Sequence, residues 1–126
     1  MVKLNPDLIR NILLTVEDIS DGTVNYLFDN PECFPLLENH SLEEVSYHIK
    51  QLNDYGLLSG VNSCFSEKGV CYYIIDLSPE GHKYLQAIKE PSIWNKTMNK
   101  IKAVGNISLP IIYEIASGFI KSRLPF

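Results

Sequence analysis

The stretch Ser41-Leu-Glu-Glu-Val-Ser-Tyr-His-Ile-Lys-Gln-Leu-Asn-Asp-Tyr-Gly-Leu-Leu-Ser-Gly60 decides the fold, because its start, period and stop all agree on a helix. Ser41 followed three residues on by Glu44 is a capping box, in which each side chain satisfies a backbone N–H that the first helical turn leaves without a partner. Leu42, Val45, Ile49 and Leu52 recur at spacings of three and four, so they share one face of a helix with about 3.6 residues per turn. Gly56 supplies the left-handed residue that ends helices, and Leu57-Leu58 opens an extended run.

Upstream, Asn5-Pro6 opens an earlier helix, with Asn as cap and Pro at the first helical position, where its missing N–H does no harm. Leu8, Ile9, Ile12, Leu13, Val16 and Ile19 give it a wide core face, and Asp18-Ile-Ser-Asp-Gly22 stops it. From Thr23 to His40, Val24, Tyr26 and Phe28 alternate as one short strand. Asn30-Pro31 and Phe34-Pro35 break the rest into irregular chain.

Downstream, Leu57–Asn62 and Val70–Leu77 read as strands, with Ser63–Gly69 as the hairpin loop between them. Ser78-Pro79 restarts a helix whose Tyr84, Leu85 and Ile88 face the core. Pro91 then divides a domain of residues 1–90 from a helical extension of residues 91–126. Ile93, Trp94, Met98, Ile101 and Val104 line one side of its first helix, which Gly105-Asn106 breaks. Leu109, Ile112, Ile115, Ala116, Phe119 and Ile120 form an apolar face on the second, capped by Ser108 with Pro110 in its first turn. That face needs a cover, either its own domain or the same helix of a second copy.

The expected class is α+β, mostly α, with a winged-helix-like domain, a short β-hairpin wing and a C-terminal helical pair. A helix delivered through Tyr-Gly-Leu-Leu into a hairpin, followed by Leu-Ser-Pro-Glu-Gly opening the next helix, resembles winged-helix regulators. One departure is visible: only Glu32–Asn39, interrupted by Pro35, is available for the second helix of that fold.

Lys3-Leu-Asn-Pro-Asp-x-Ile-Arg-x-Ile-Leu-Leu, the Ser41 helix, Leu77-x-Pro-Glu-Gly-His and Ile93-Trp-Asn-Lys together resemble a family of small phage and prophage proteins of Gram-positive bacteria that carries a domain-of-unknown-function label. The resemblance runs nearly end to end. It implies a phage or prophage source and a winged-helix-like body, and it carries no catalytic or binding residues.

With 126 residues, 45% of them hydrophobic, the chain can bury one respectable core. No apolar run approaches the roughly 20 residues that span a bilayer, and Met1-Val2-Lys3-Leu4-Asn5-Pro6 lacks the apolar core of a signal peptide. A cytoplasmic protein without a membrane partner is expected. Cys33, Cys64 and Cys71 form neither a C-x-x-C pair nor an even set, which argues against a disulfide framework or a zinc knuckle.

Chemistry is equally thin. The glycines make no phosphate loop, and among His40, His48 and His82 none sits four residues from another as a helical metal pair would. Cys64, Cys71 and His82 are the only metal set worth weighing, and hairpin cysteines with a surface histidine describe them better. Glu43 and Glu44 point to different sides of their helix and make no acid/base pair. No enzyme activity, cofactor or metal is expected.

Charge is the informative quantity. Residues 1–80 hold four bases against thirteen acids, or −9, and residues 81–126 hold seven bases against two acids, or +5, giving the net −4. Such asymmetry suggests a charged partner or one half resting on the other. On the outward face of the Ser41 helix, Glu43, Glu44 and Asp54 outnumber Lys50, with Tyr47 and Gln51 beside them. If that helix reads double-stranded DNA, the candidate contacts are Ser41, Glu43, Tyr47, Lys50, Gln51 and Lys68 of the wing. Lys96, Lys100 and Lys102 would then supply the attraction to phosphate. The candidate dimerisation residues are Trp94, Met98, Ile112, Ile115, Phe119 and Ile120. By fold, a homodimeric DNA-binding regulator leads. By charge, the alternative is a protein-interaction module whose acidic surface engages a basic host protein or mimics DNA.

Overall fold

A computed structural model describes residues 2–105 and 107–123; Asn106, half of the expected helix break, lies outside them. The protein is a mostly helical α+β structure. Its elements run α1 (Pro6–Ile19), β1 (Tyr26–Phe28), a 3-10 turn (Pro31–Cys33), α2 (Leu42–Asp54), β2 (Leu58–Ser59), β3 (Asn62–Ser66), β4 (Gly69–Ile74), β5 (Asp76–Leu77), α3 (Pro79–Ile88), α4 (Pro91–Val104) and α5 (Leu109–Ser122).

The helix boundaries follow local chemistry. Asn5 Oδ1 accepts from the N–H groups of Asp7 and Leu8, and Ser78 and Ser108 accept from Gly81 and Ile111. The capping box of α2 is complete, with Glu44 N–H donating to Ser41 Oγ at 3.1 Å and Ser41 N–H to Glu44 Oε1 at 3.3 Å. At the other end, Gly56 at φ +85° turns the chain so that its N–H reaches Asn53 O and the Leu57 N–H reaches Leu52 O. This double closure satisfies two carbonyls that the last turn leaves open.

The hairpin departs from the expected boundaries. β3 occupies most of the Ser63–Gly69 span read as loop, and the turn is only Glu67-Lys68. Asn-Ser-Cys-Phe-Ser has little intrinsic strand preference, so its pairing with β4, Asn62 opposite Tyr73 through Ser66 opposite Gly69, makes it a strand. The expected Leu57–Asn62 and Val70–Leu77 strands are each interrupted, at Gly60-Val61 and at Ile75. The pieces belong to two antiparallel sheets, one ordered β1-β4-β3 and one made of β2 and β5. Between β1 and α2 there is the 3-10 turn and irregular chain, in keeping with Pro31 and Pro35.

One core joins all of this. Leu8, Ile12, Val45, Ile49, Leu52, Ile74, Leu85 and Ile88 belong to the same buried cluster as Ile93, Trp94, Ile101, Leu109, Ile112 and Ala116. The rest of the chain therefore covers Leu109, Ile112 and Ala116 of the apolar face of α5, which packs on α4 and α3, and leaves Ile115, Phe119 and Ile120 half-buried. Val104, read as part of the inner side of α4, is instead exposed. Tyr84 ties α3 to the start of α5, its buried hydroxyl donating to Leu109 O at 2.7 Å; burial pushes the phenol pKa up and keeps it neutral. Tyr84→Phe is expected to cost about 1 kcal/mol, the net worth of one buried hydrogen bond, read as a lower urea midpoint at unchanged slope.

The charge asymmetry is partly internal. Lys89 Nζ meets Glu17 Oε1 at 2.6 Å, and Arg10 donates to the carbonyls of Ile88 and Lys89 while lying over the Trp94 ring. Arg123 pairs with Glu90 at 2.7 Å.

Candidate functional site

Helix α2 is laid against β4 by its apolar stripe and by Ser46, whose hydroxyl donates to Val70 O at 2.8 Å. That bond holds the hairpin beside the helix. Between them runs a groove of about 560 Å³, with Leu42, Glu43, Ser46, Tyr47 and Lys50 on one wall and Lys68, Gly69, Val70 and Tyr72 on the other. The structure thus brings together Glu43, Tyr47, Lys50 and Lys68 from the sequence-derived set. Ser46 was not in that set, and a serine on a helix gives no signal of the carbonyl it will meet.

Tyr47 is a ridge between two depressions. On its far side, Gln51 joins Leu4, Asp54, Tyr55 and the start of α5 in a separate cleft of about 450 Å³, so Gln51 is not in the groove. Ser41 is also outside it, in a shallow depression beside Lys3 and Glu44, where its side chain is committed to the capping box.

The charges around the groove lie on its exposed rim. Lys50 Nζ sits 2.7 Å from Asp54 Oδ2 one turn along the helix, and that carboxylate holds the ammonium pKa above its usual range. Glu43 is exposed at the rim, and Glu44 is tied to the Ser41 N–H. Lys68, at the exposed turn, makes no ion pair among the described residues.

The remaining cations lie elsewhere. Lys96, Lys100 and Lys102 are exposed on α4, which packs on α3 and α5, whereas α2 packs on α1, β2 and β4. The structure does not bring the lysines of α4 into the groove.

Of the residues expected to join two copies, Trp94 and Ile112 are corrected by burial: both lie within the chain's own core. Trp94 Nε1 also donates to Asp7 Oδ1 at 2.9 Å. Both were read from an apolar stripe alone, which cannot distinguish packing within a chain from packing between chains. Met98, Ile115, Phe119 and Ile120 are half-buried at the edge of the same core.

Sequence reasoning missed His48. It is a fully buried residue of α2, where Nδ1 donates to Glu44 O at 2.7 Å and Nε2 accepts the Asn5 N–H at 2.8 Å. These bonds assign the neutral ring with its proton on Nδ1. Burial is the main cause that moves its pKa below the usual histidine value. His48 holds the N-terminus of α1 to α2. It is a structural residue.

Among the described residues, no group of three or more His, Cys, Asp or Glu side chains is placed to hold a metal ion, and no helix is long and apolar enough to cross a membrane.

Residues 3–107 match the model of a family described as hypothetical protein DUF2513. An uncharacterised protein of Haemophilus influenzae is 32% identical over 125 residues, covering 98% of this chain and 99% of that one. No solved structure matches the chain. On the family model and this full-length relative together, the chain belongs to the DUF2513 family.

Proposed function

We propose that this chain is a non-enzymatic protein-interaction module that engages a basic partner protein through the groove between α2 and the hairpin. The carrying observation is the placement of charge: Glu43 stands on the groove wall with Glu44 in the adjoining depression, Lys50 is paired with Asp54, and no lysine of α4 lines the groove. A duplex lying along α2 would meet the carboxylates of Glu43, Glu44 and Asp54 on its outward face, where it needs cations, since affinity for DNA draws on Lys and Arg that neutralise phosphates. A basic protein surface meets complementary charge instead, which steers encounter and discriminates against phosphate. Tyr47, Val70 and Tyr72 add the aromatic and apolar contact area that protein interfaces favour.

The DNA-binding regulator is the second reading. It is favoured by the strand order β1-β4-β3, with the hairpin following α2 and the short β2, which is the order expected of a winged helix whose second helix is reduced. Convergence of Tyr47, Lys50 and Lys68 on one groove favours it too. In that case the α4 lysines hold a phosphate backbone, and Met98, Ile115, Phe119 and Ile120 join two copies. A phage or prophage origin and a cytoplasmic location suit either reading.

Titrating the purified chain with sheared genomic DNA from low to physiological salt separates them. The interaction module predicts no retention at low salt. In lysate of the source cell it predicts a captured protein that is lost with Glu43→Lys or Tyr47→Ala and released by added salt. Sequence-selective DNA binding with a steep salt slope, strengthened by Glu43→Lys, overturns the module and establishes the regulator.

A further inference from the structure

Cys64 and Cys71 are six residues apart in the gap between them, yet the Glu67-Lys68 turn folds β3 onto β4 so that they stand directly opposite in the antiparallel register. Directly opposed residues point to the same face of a sheet and have Cα atoms about 4.5–5.5 Å apart, inside the 4.4–6.8 Å window of disulfides. Both are free thiols here, and each lies next to the other. We propose that Cys64 and Cys71 are a reversible thiol pair that closes into an intrachain disulfide across the hairpin when the chain meets a low-molecular-weight disulfide. The inference is independent of the function proposed above.

The two sulfurs have different parts. Cys64 is half-buried on the edge strand and can be reached from solvent, while Cys71 is 2% exposed on the central strand. Burial, and then the neighbouring Cys64 thiol, push the Cys71 thiol up to about 11, so it is a poor first nucleophile. The Cys64 thiolate therefore attacks one sulfur of the small disulfide, forming a mixed disulfide and expelling one small thiolate. Cys71 then releases its proton to solvent, and its thiolate attacks the Cys64 sulfur and expels the second small thiolate. Two protein thiols are oxidised to one disulfide while one small disulfide is reduced to two thiols. The electrons balance.

Because successive residues alternate across a strand, the pair lies on the sheet face opposite Val70 and Tyr72, behind the groove. Closing it adds a covalent rung two pairs from the turn and stiffens one groove wall without filling the groove. Cys33, on an exposed turn outside the sheet, serves as the internal control.

The test uses the full chain in glutathione buffers of graded redox ratio at pH 8, quenched in acid, alkylated and weighed. The expected product is a monomer lighter by two hydrogens, with Cys64 and Cys71 protected from alkylation and linked in one peptide pair. Cys71→Ser is expected to stop at a glutathione adduct on Cys64. Glutathione adducts on wild-type Cys64 with Cys71 still alkylated, a disulfide mapped through Cys33, or no oxidation in excess oxidised glutathione would each overturn the proposal. The wild-type measurement decides even if a serine variant fails to fold.

Discussion

Gly81→Ala is expected to destabilise the protein by about 4 kcal/mol, near the severe end for a point substitution, although alanine is the better helix former by about 1 kcal/mol. Gly81 is a buried residue in the first turn of α3, and a Cβ there would lie 1.9 Å from Leu57 O and 2.9 Å from Leu57 C. Neither atom is the end of a flexible side chain. Leu57 O accepts the Ser78 N–H at 3.0 Å, and Ser78 Oγ donates to Gly56 O at 2.6 Å, so the cap of α3 is bonded to the chain leaving α2. A methyl group would push these backbones apart and break the bonds that join the two helices. Gly118, within α5, has nothing within 4 Å of its would-be Cβ, so Gly118→Ala is expected to stabilise by up to about 1 kcal/mol. Urea unfolding of both variants checks the pair. Equal effects would mean that the approach of α3 to Leu57 is not as described.

That contact also explains a motif. Leu-Ser-Pro-Glu-Gly was legible as a helix start because Ser and Pro have local reasons to stand there, but the role of its glycine depends on Leu57, more than twenty residues earlier. The same division holds through the chain. Asn5-Pro6, the Ser41 to Glu44 box and Ser108 announce helix starts, since a cap concerns only the next three residues. The outward face of α2 was legible too, because helical period alone selects Glu43, Tyr47 and Lys50. What remained hidden depends on register and docking: β3 within an apparent loop, Ser46 finding Val70 O, Cys64 facing Cys71, and α4 packing on α3 and α5 away from the stripe of α2. Which cations converge was therefore not readable from their order in the chain, and this convergence is what ranks the two functional readings.

His48 is the clearest residue of that hidden kind, and its replacement is expected to have the other large effect. His48→Ala removes a fully buried ring and leaves the Asn5 N–H without its acceptor, costing about 3 kcal/mol from the cavity and the lost bond together. For a chain of this size that is a fall of about 10 °C in Tm. The wild-type protein should also be acid-labile for the same reason. Protonated Nε2 cannot accept the Asn5 N–H, and burial disfavours the cation, so the folded-state pKa lies below the unfolded value of about 6.5. The unfolded chain then binds more protons than the folded one in the window below that value. The contribution of His48 is accordingly complete above about pH 6.5, declines as pH falls toward the lowered pKa, and levels off below it. Thermal unfolding from pH 7.5 down to pH 5 should show this decline in the wild type and a shallower one in His48→Phe, which fills the space but carries no proton. A profile unchanged by that substitution would remove His48 as its cause and leave the carboxylates to account for the acid limb.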